Sequence, residues 1–185
     1  SEALIGIVNG IDVNEWNPEI DALIPAHYSL NDPAGKQVCK ENLASRMELP
    51  VRPDVPLLGV VSRLTPQKGF DLFFECMEDL LERYDAQLAV LGSGEKKYEN
   101  YFAWLQSRFP DRVSFYRGFS NELAHLIEAG ADIFLMPSRF EPCGLNQLYS
   151  LKYGTIPVVR RTGGLADTVV SFDPATRQGT GFVFD

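Results

Sequence analysis

The sequence predicts an α/β domain built on an open, doubly wound parallel sheet. Two observations carry that reading. From Leu57 onward, short apolar runs alternate with stretches of helical spacing for about 130 residues, the signature of repeated βαβ units. The runs are also continuous, as in strands covered by helices on both faces. The 185 residues, 45% apolar and 23% charged, suffice for one such domain with its own core.

The elements follow in order. Ala3–Val8 reads as a short strand and Asn9-Gly10 as a turn. Asn31-Asp32-Pro33 reads as a helix start, with Asp32 as N-cap and Pro33 at the first helical position, and the helix runs to about Glu48. Leu49-Pro50 stops it, and Pro53 and Pro56 mark a loop. Residues 1–56 are therefore an entry segment with a lead-in helix, and residues 57–185 the sheet domain. Leu57–Val61 is the first buried strand. Phe70, Phe73, Phe74, Met77, Leu80, Leu81 and Tyr84 share one face of a helix over Phe70–Tyr84. Then come strand Gln87–Leu91, helix Lys97–Phe109, strand Val113–Tyr116, helix Asn121–Ala129 and strand Asp132–Met136. Helix Gly144–Tyr153 closes on Gly154 at C′, and strand Ile156–Val159, a short helix Leu165–Val170 and strand Gly181–Phe184 complete the series.

Composition narrows the function. With 17 Lys+Arg against 25 Asp+Glu, the net charge of −8 argues against a surface for nucleic acid or anionic membrane. It leaves room for a local basic pocket. Cys39, Cys76 and Cys143 are odd in number and form no CxxC pair, which fits a reducing compartment. No apolar run approaches the roughly 18 residues of a membrane span. Ser1-Glu2-Ala3 lacks the basic region that opens a signal peptide.

Open parallel sheets bind ligands beyond the C-terminal ends of their strands, so chemistry is expected in the loops that follow strands. Four such loops are unusual. Ser62–Gly69 carries Arg63 and Lys68 next to a helix start, an arrangement suited to an anion; two solvated charges are the plain alternative. Leu91-Gly92-Ser93-Gly94 gives a backbone close access to a ligand, or is a simple turn. Pro137–Leu145 places Glu141 between a strand end and a helix start, where Pro142, Cys143 and Gly144 bring backbone amides to the helix N-terminus. Glu141 is alternatively a partner of the helix dipole. Cys143 is a weak candidate nucleophile, because His27 and His125 are both distant in sequence. Arg160–Asp167 offers Thr162, Gly163 and Gly164 to an oxyanion beside Arg160 and Arg161, or forms a tight turn with solvated arginines. Together the loops describe a site for a large anionic ligand carrying a diphosphate.

On these residues the sequence resembles the bacterial glycogen synthases and plant starch synthases. The matching pieces are Asn9-Gly10-Ile11-Asp12, Ser62–Gly69 (SRLTPQKG), Gly130-Ala131-Asp132, Pro137–Leu145 (PSRFEPCGL), Leu151–Gly154 and Thr162–Asp167 (TGGLAD). The resemblance covers essentially the whole chain. It implies a glycosyltransferase-B architecture of two Rossmann-like domains facing a cleft, of which this chain is the nucleotide-sugar-binding one; the N-terminal acceptor domain is absent. The implied reaction moves glucose from ADP-glucose to the non-reducing end of an α-1,4-glucan with retention, with no metal and no cofactor beyond that donor. By the resemblance, Arg63 and Lys68 hold the diphosphate. Glu141 faces the glucosyl ring and positions it with Asn9. Cys143, Gly144 and Leu145 lie against sugar and phosphate through backbone groups. Thr162, Gly163 and Gly164 add amides and a hydroxyl, and Phe119 stacks near the adenine. The implied setting is cytoplasmic, or plastidial in a plant.

Two departures matter. The wider class often repeats Glu eight positions after the first; here that position is Tyr149, which suits the glycogen/starch branch. The KxGGL loop and the sugar-contacting histidine of the family's first domain are missing, so the chain alone is expected to transfer little or nothing. The competing readings are a related transferase with another nucleotide-sugar donor, and a non-catalytic nucleotide-binding module on the same fold.

Overall fold

The computed structural model describes residues 6–185. The lead-in helix is α1 (Ala34–Arg46). The sheet domain then runs β1 (Leu57–Leu64), α2 (Asp71–Arg83), β2 (Gln87–Gly94), α3 (Lys96–Arg108), β3 (Val113–Arg117) and α4 (Asn121–Gly130). It continues with β4 (Ile133–Met136), α5 (Asn146–Tyr153), β5 (Ile156–Arg160), α6 (Gly163–Thr168) and β6 (Phe182–Phe184). The six strands form one parallel sheet in the order β3-β2-β1-β4-β5-β6. This is the doubly wound sheet the pattern predicts. Order reverses between β1 and β4.

Each face has its own core. On one, α2 and α3 cover β1 to β3 through Phe70, Phe73, Phe102, Leu105, Val60 and Leu88. On the other, α1, α4 and α6 pack Leu43, Ile127 and Leu165 against Leu57, Phe134 and Val159. Helix α4 is buried all round from Leu123 to Gly130, because sheet, α1 and α5 all press on it. Its start is capped by Ser120, whose hydroxyl accepts the Leu123 N–H at 3.2 Å. Gly59 and Gly130 let α4 lie close to β1 and α1: a Cβ on Gly59 would stand 2.8 Å from Ile127, and one on Gly130 2.7 Å from the Cys39 carbonyl. Gly154 closes α5 in the left-handed conformation, as expected.

Several expectations are corrected. Residues 3–5 of the first predicted strand lie outside the described residues, and Gly6–Val8 form no strand. Asp32 does not cap α1. Pro33 holds the N-cap position without a side-chain hydrogen bond, while the Asp32 backbone closes a turn with Ser29. Helix α5 begins at Asn146, two residues later than predicted, and α6 begins at Gly163, two residues earlier. The strands are not buried on both faces throughout. In β4 and β5 burial alternates, with Phe134 and Val159 buried and Ile133, Leu135 and Val158 only partly so. Among the described residues, α2 flanks that apolar strip but no helix lies over it.

A polar cluster sits between α1, α4 and α5. Lys36 Nζ donates to the carbonyls of Ala129 and Tyr153 and to Thr155 Oγ1 at 2.8–3.2 Å. Ser150 Oγ donates to Glu128 Oε2 at 2.7 Å. Burial pushes the Glu128 carboxyl up to about 8, against the opposing pull of Ser150 and Lys36. Burial likewise lowers the Lys36 ammonium to about 8.

Gly130→Ala adds a methyl group against α1. Ala favours a helix over Gly by about 1 kcal/mol, so a net loss of about 1–2 kcal/mol in urea unfolding isolates the clash. A carboxyl whose folded pKa lies above its ordinary 4.5 binds more protons in the native state across that interval. Stability therefore falls as pH rises from about 5 to about 8. Glu128→Gln flattens that slope in urea midpoints measured across the range.

Candidate active site

The candidate site is a cavity of about 330 Å³ at the C-terminal ends of the strands, where sheet order reverses between β1 and β4. Arg63 forms part of its wall from the C-terminal end of β1. The parallel ladder extends past the apolar run, pairing Arg63 with Ser93, so Arg63 stands on strand and not on loop. Its side chain is exposed and has no ion-pair partner among the described residues. Lys68 ends a 3₁₀ turn at Pro66–Lys68.

Lys68 and Glu141 meet here. Lys68 Nζ lies 2.5 Å from Glu141 Oε2, with 19% and 11% of the two side chains exposed. Ser138, buried at the end of β4, donates its hydroxyl to the same carboxylate oxygen at 3.1 Å. The carboxylate is thus fixed by a cation and a hydroxyl, and its charge is compensated where water is largely excluded.

Backbone closeness holds the loops in register. The Arg139 N–H donates to Gln67 O at 2.8 Å, and Gln67 Nε2 donates to Phe140 O at 3.0 Å. Gly69 has φ +74°, and a Cβ there would collide with Pro137 O at 1.9 Å. A third loop braces the second from behind. The Gly164 N–H donates to Glu141 O at 3.1 Å, and a Cβ on Gly163 or Gly164 would stand 2.2 or 2.1 Å from the carbonyls of Glu141 or Cys143. Gln147 Nε2 ties the Cys143 carbonyl at 3.0 Å.

The sequence-predicted residues divide into two groups. Arg63, Lys68, Glu141, Gly144, Leu145 and Phe119 line the cavity together. Phe119 stands at its edge with its ring 82% exposed. Gly144 and Leu145 lie at the start of α5, where first-turn amides have no intrahelical acceptor. Asn9 and Cys143 sit beside the cavity: the Asn9 N–H donates to Cys143 Sγ at 3.3 Å. Among the described residues no histidine approaches that thiol. Thr162, Gly163 and Gly164 lie behind the Glu141 loop. Thr162 Oγ1 donates to Arg139 O at 3.4 Å, and the Gly164 amide, expected to serve an oxyanion, is already taken by Glu141 O. Arg160 and Arg161 do not line the cavity, and Arg161 pairs with Asp185 at 2.8 Å. Two lining residues escaped sequence reasoning. Ser138 lies three positions before Glu141, inside a segment already singled out. Asn146 donates from Nδ2 to Val61 O at 2.9 Å, tying α5 to β1.

A family model described as "Glycosyl transferases group 1" matches residues 43–185. The chain is 57% identical over 181 residues to a glycogen synthase of Anaeromyxobacter dehalogenans (strain 2CP-1 / ATCC BAA-258), covering 98% of the chain and 38% of that protein. It is 51% identical over 178 residues to a soluble starch synthase 1, chloroplastic/amyloplastic, of Solanum tuberosum, covering 96% of the chain and 28% of that protein. The chain thus spans well under half the length of the curated relatives it matches. Among solved structures, the catalytic domain of starch synthase IV from Arabidopsis thaliana, bound to ADP and acarbose, superposes with a TM-score of 0.88 at 37% identity, over 97% of this chain and 38% of that one. The chain belongs to the group 1 glycosyl transferase family, in the company of the glycogen and starch synthases.

Proposed function

We propose that the chain is the donor-binding half of a retaining glucosyltransferase that moves glucose from ADP-glucose to the non-reducing end of an α-1,4-glucan. The observation that carries this reading is the Lys68–Glu141 pair beside the unpaired Arg63, set at the switch point of a parallel sheet. Similarity to glycogen and starch synthases supports the reaction, and the ADP in the Arabidopsis structure supports the adenine nucleotide.

Cleaving a glycosyl–phosphate bond leaves negative charge on the diphosphate and positive character on the sugar. Arg63 and Lys68 stabilise the first, as fixed cations that need no reorganisation during the reaction. They supply the charge that a divalent ion would otherwise bring, so the reaction proposed uses no metal. Amides at the start of α5, around Gly144 and Leu145, add to that field. Glu141, held by Lys68 and Ser138, faces the glucosyl ring and stabilises its positive charge. Asn9 helps to place the ring, Cys143 acts through its backbone, and Phe119 stacks near the adenine. Thr162, Gly163 and Gly164 shape the Glu141 loop. The glucan is held by the part of the protein outside this chain, and the reaction runs in the cytoplasm, or in the plastid of a plant. No helix among the described residues is long and apolar enough to cross a membrane.

Two measurements test the reading. In the full-length protein, Glu141→Ala lowers kcat by about 10²–10³-fold while donor affinity changes little, as seen by steady-state kinetics and calorimetry. Unchanged turnover would point to a non-catalytic nucleotide binder. In titrations of this chain with ADP-glucose, Arg63→Ala and Lys68→Ala each weaken binding by about tenfold or more, and a chelator leaves the unsubstituted chain unaffected. Tighter binding of UDP-glucose or GDP-mannose would move the chain to a different donor.

A further inference from the structure

Among the described residues, the segment before α1 has no helix or strand, yet it is tied firmly to the domain. The Trp16 ring lies between His125 of α4 and Tyr149 of α5, at centroid distances of 3.7 and 3.8 Å and interplanar angles of 17° and 9°. Tyr153, one turn further along α5, meets its edge at 6.3 Å. Asp21, 2% exposed, secures the other end: Tyr153 OH donates to its Oδ2 at 2.5 Å, and His125 Nδ1 lies 2.8 Å from the same oxygen. Tyr28 OH donates to the Tyr153 carbonyl at 2.9 Å.

The sheet and its two large cores are built mainly from residues that follow Pro33. Trp16 borders one of them and packs on a smaller cluster of Ile24, Tyr28, Cys39, Ala129 and Tyr153, so its stack fastens the entry segment to the domain more than it fills the sheet's cores. What the stack fixes is the chain just before it. The Trp16 N–H donates to Asp12 O at 2.8 Å, and Asp12 Oδ1 accepts the Asn14 N–H at 2.8 Å. Three residues before that turn, the Asn9 N–H rests on Cys143 Sγ, beside the loop that carries Glu141. Helix α5 serves both contacts, following the Glu141 loop directly and bearing Tyr149 and Tyr153 against the entry segment.

We propose that Trp16 is a positioning residue: wedged between α4 and α5, it fixes the segment that presents Asn9 to the rim of the cavity. This rests on the function proposed above, in which Asn9 helps to place the glucosyl ring.

The first readout does not depend on activity. In this chain, Trp16→Ala raises the alkylation rate of Cys143 by about tenfold, because Asn9 no longer covers it. Exposed Cys76 keeps its rate and the far-ultraviolet circular dichroism stays native, which excludes global unfolding. An unchanged Cys143 rate overturns the proposal. The second readout is a double-mutant cycle in the full-length protein. Trp16→Ala lowers kcat by about 10–100-fold with donor KM nearly constant, and Trp16→Phe restores most of it. Because Trp16 acts through Asn9, Trp16→Ala adds nothing to Asn9→Ala; losses that multiply overturn the proposal. If Trp16→Ala does not fold, Tyr149→Leu removes one side of the stack and gives the same pattern. Should Cys143 be released while both Trp16→Ala and Glu141→Ala leave turnover intact, the synthase reading fails and the positioning stands.

Discussion

The ion pair between Lys68 and Glu141 joins positions 73 residues apart in sequence, and the geometry of the cavity depends on it. Two loops, one after β1 and one after β4, must close on each other with almost no side chain between them. Gly69 permits this by lying against Pro137 O, and Gly163 and Gly164 permit a third loop to back the second. Such a pair is a poor device for stability, since withdrawing both charges from water costs as much as their attraction returns. Its mostly buried position, with a serine hydroxyl completing the carboxylate's partners, fits the roles proposed above for the two groups.

Charge elsewhere is arranged so that this local field survives an acidic protein. Arg139 pairs with Asp71, Arg117 with Glu99 and Arg161 with Asp185, so those cations are neutralised where they stand. Arg63 has no such partner among the described residues and lies on the cavity wall. Exposed charges more than about 8 Å apart are largely screened at physiological salt, so the net −8 does not cancel the unpaired Arg63 on the cavity wall. Local pairing, more than global charge, decides which cations remain for a ligand.

Much of this was legible in the sequence, for identifiable reasons. Strand and helix order from Leu57 onward follows from one hydrophobic period at a time, and no element there was misassigned. Ends were less legible. β1 and β2 continue through Ser62, Arg63 and Ser93 because a parallel ladder is held by backbone groups, which do not require apolar side chains. Asp32 carried a cap signal, but Ser29 engages its backbone in a turn instead. The half-buried strip on β4 and β5 reads as fully buried strand because the apolar run is the same whether or not a helix covers it. Glycine showed where backbones approach closely but not what approaches: at Gly163 and Gly164 it is the neighbouring loop. Asn146 is silent in the sequence because its partner, the Val61 carbonyl, lies 85 positions away, and Ser138, though three positions from Glu141, gives no sign that its hydroxyl turns toward that carboxylate.

The buried polar groups away from the cavity are equally nonlocal. Asp21, His125 and Tyr153 come from three separate segments, and their hydrogen bonds span 104 and 132 positions. No local pattern announces them. Hydrophobic residues of similar size would fill the space, but they would not specify one orientation as a carboxylate shared between an imidazole and a phenol does. The network therefore acts on direction more than on stability. It orients the entry segment against α4 and α5, and α5 is the helix whose first residues, with Gly144 and Leu145 before them, border the cavity. A single short helix thus receives the Glu141 loop at one end and the entry segment along its side. Displacing either contact changes the frame that the other is built on.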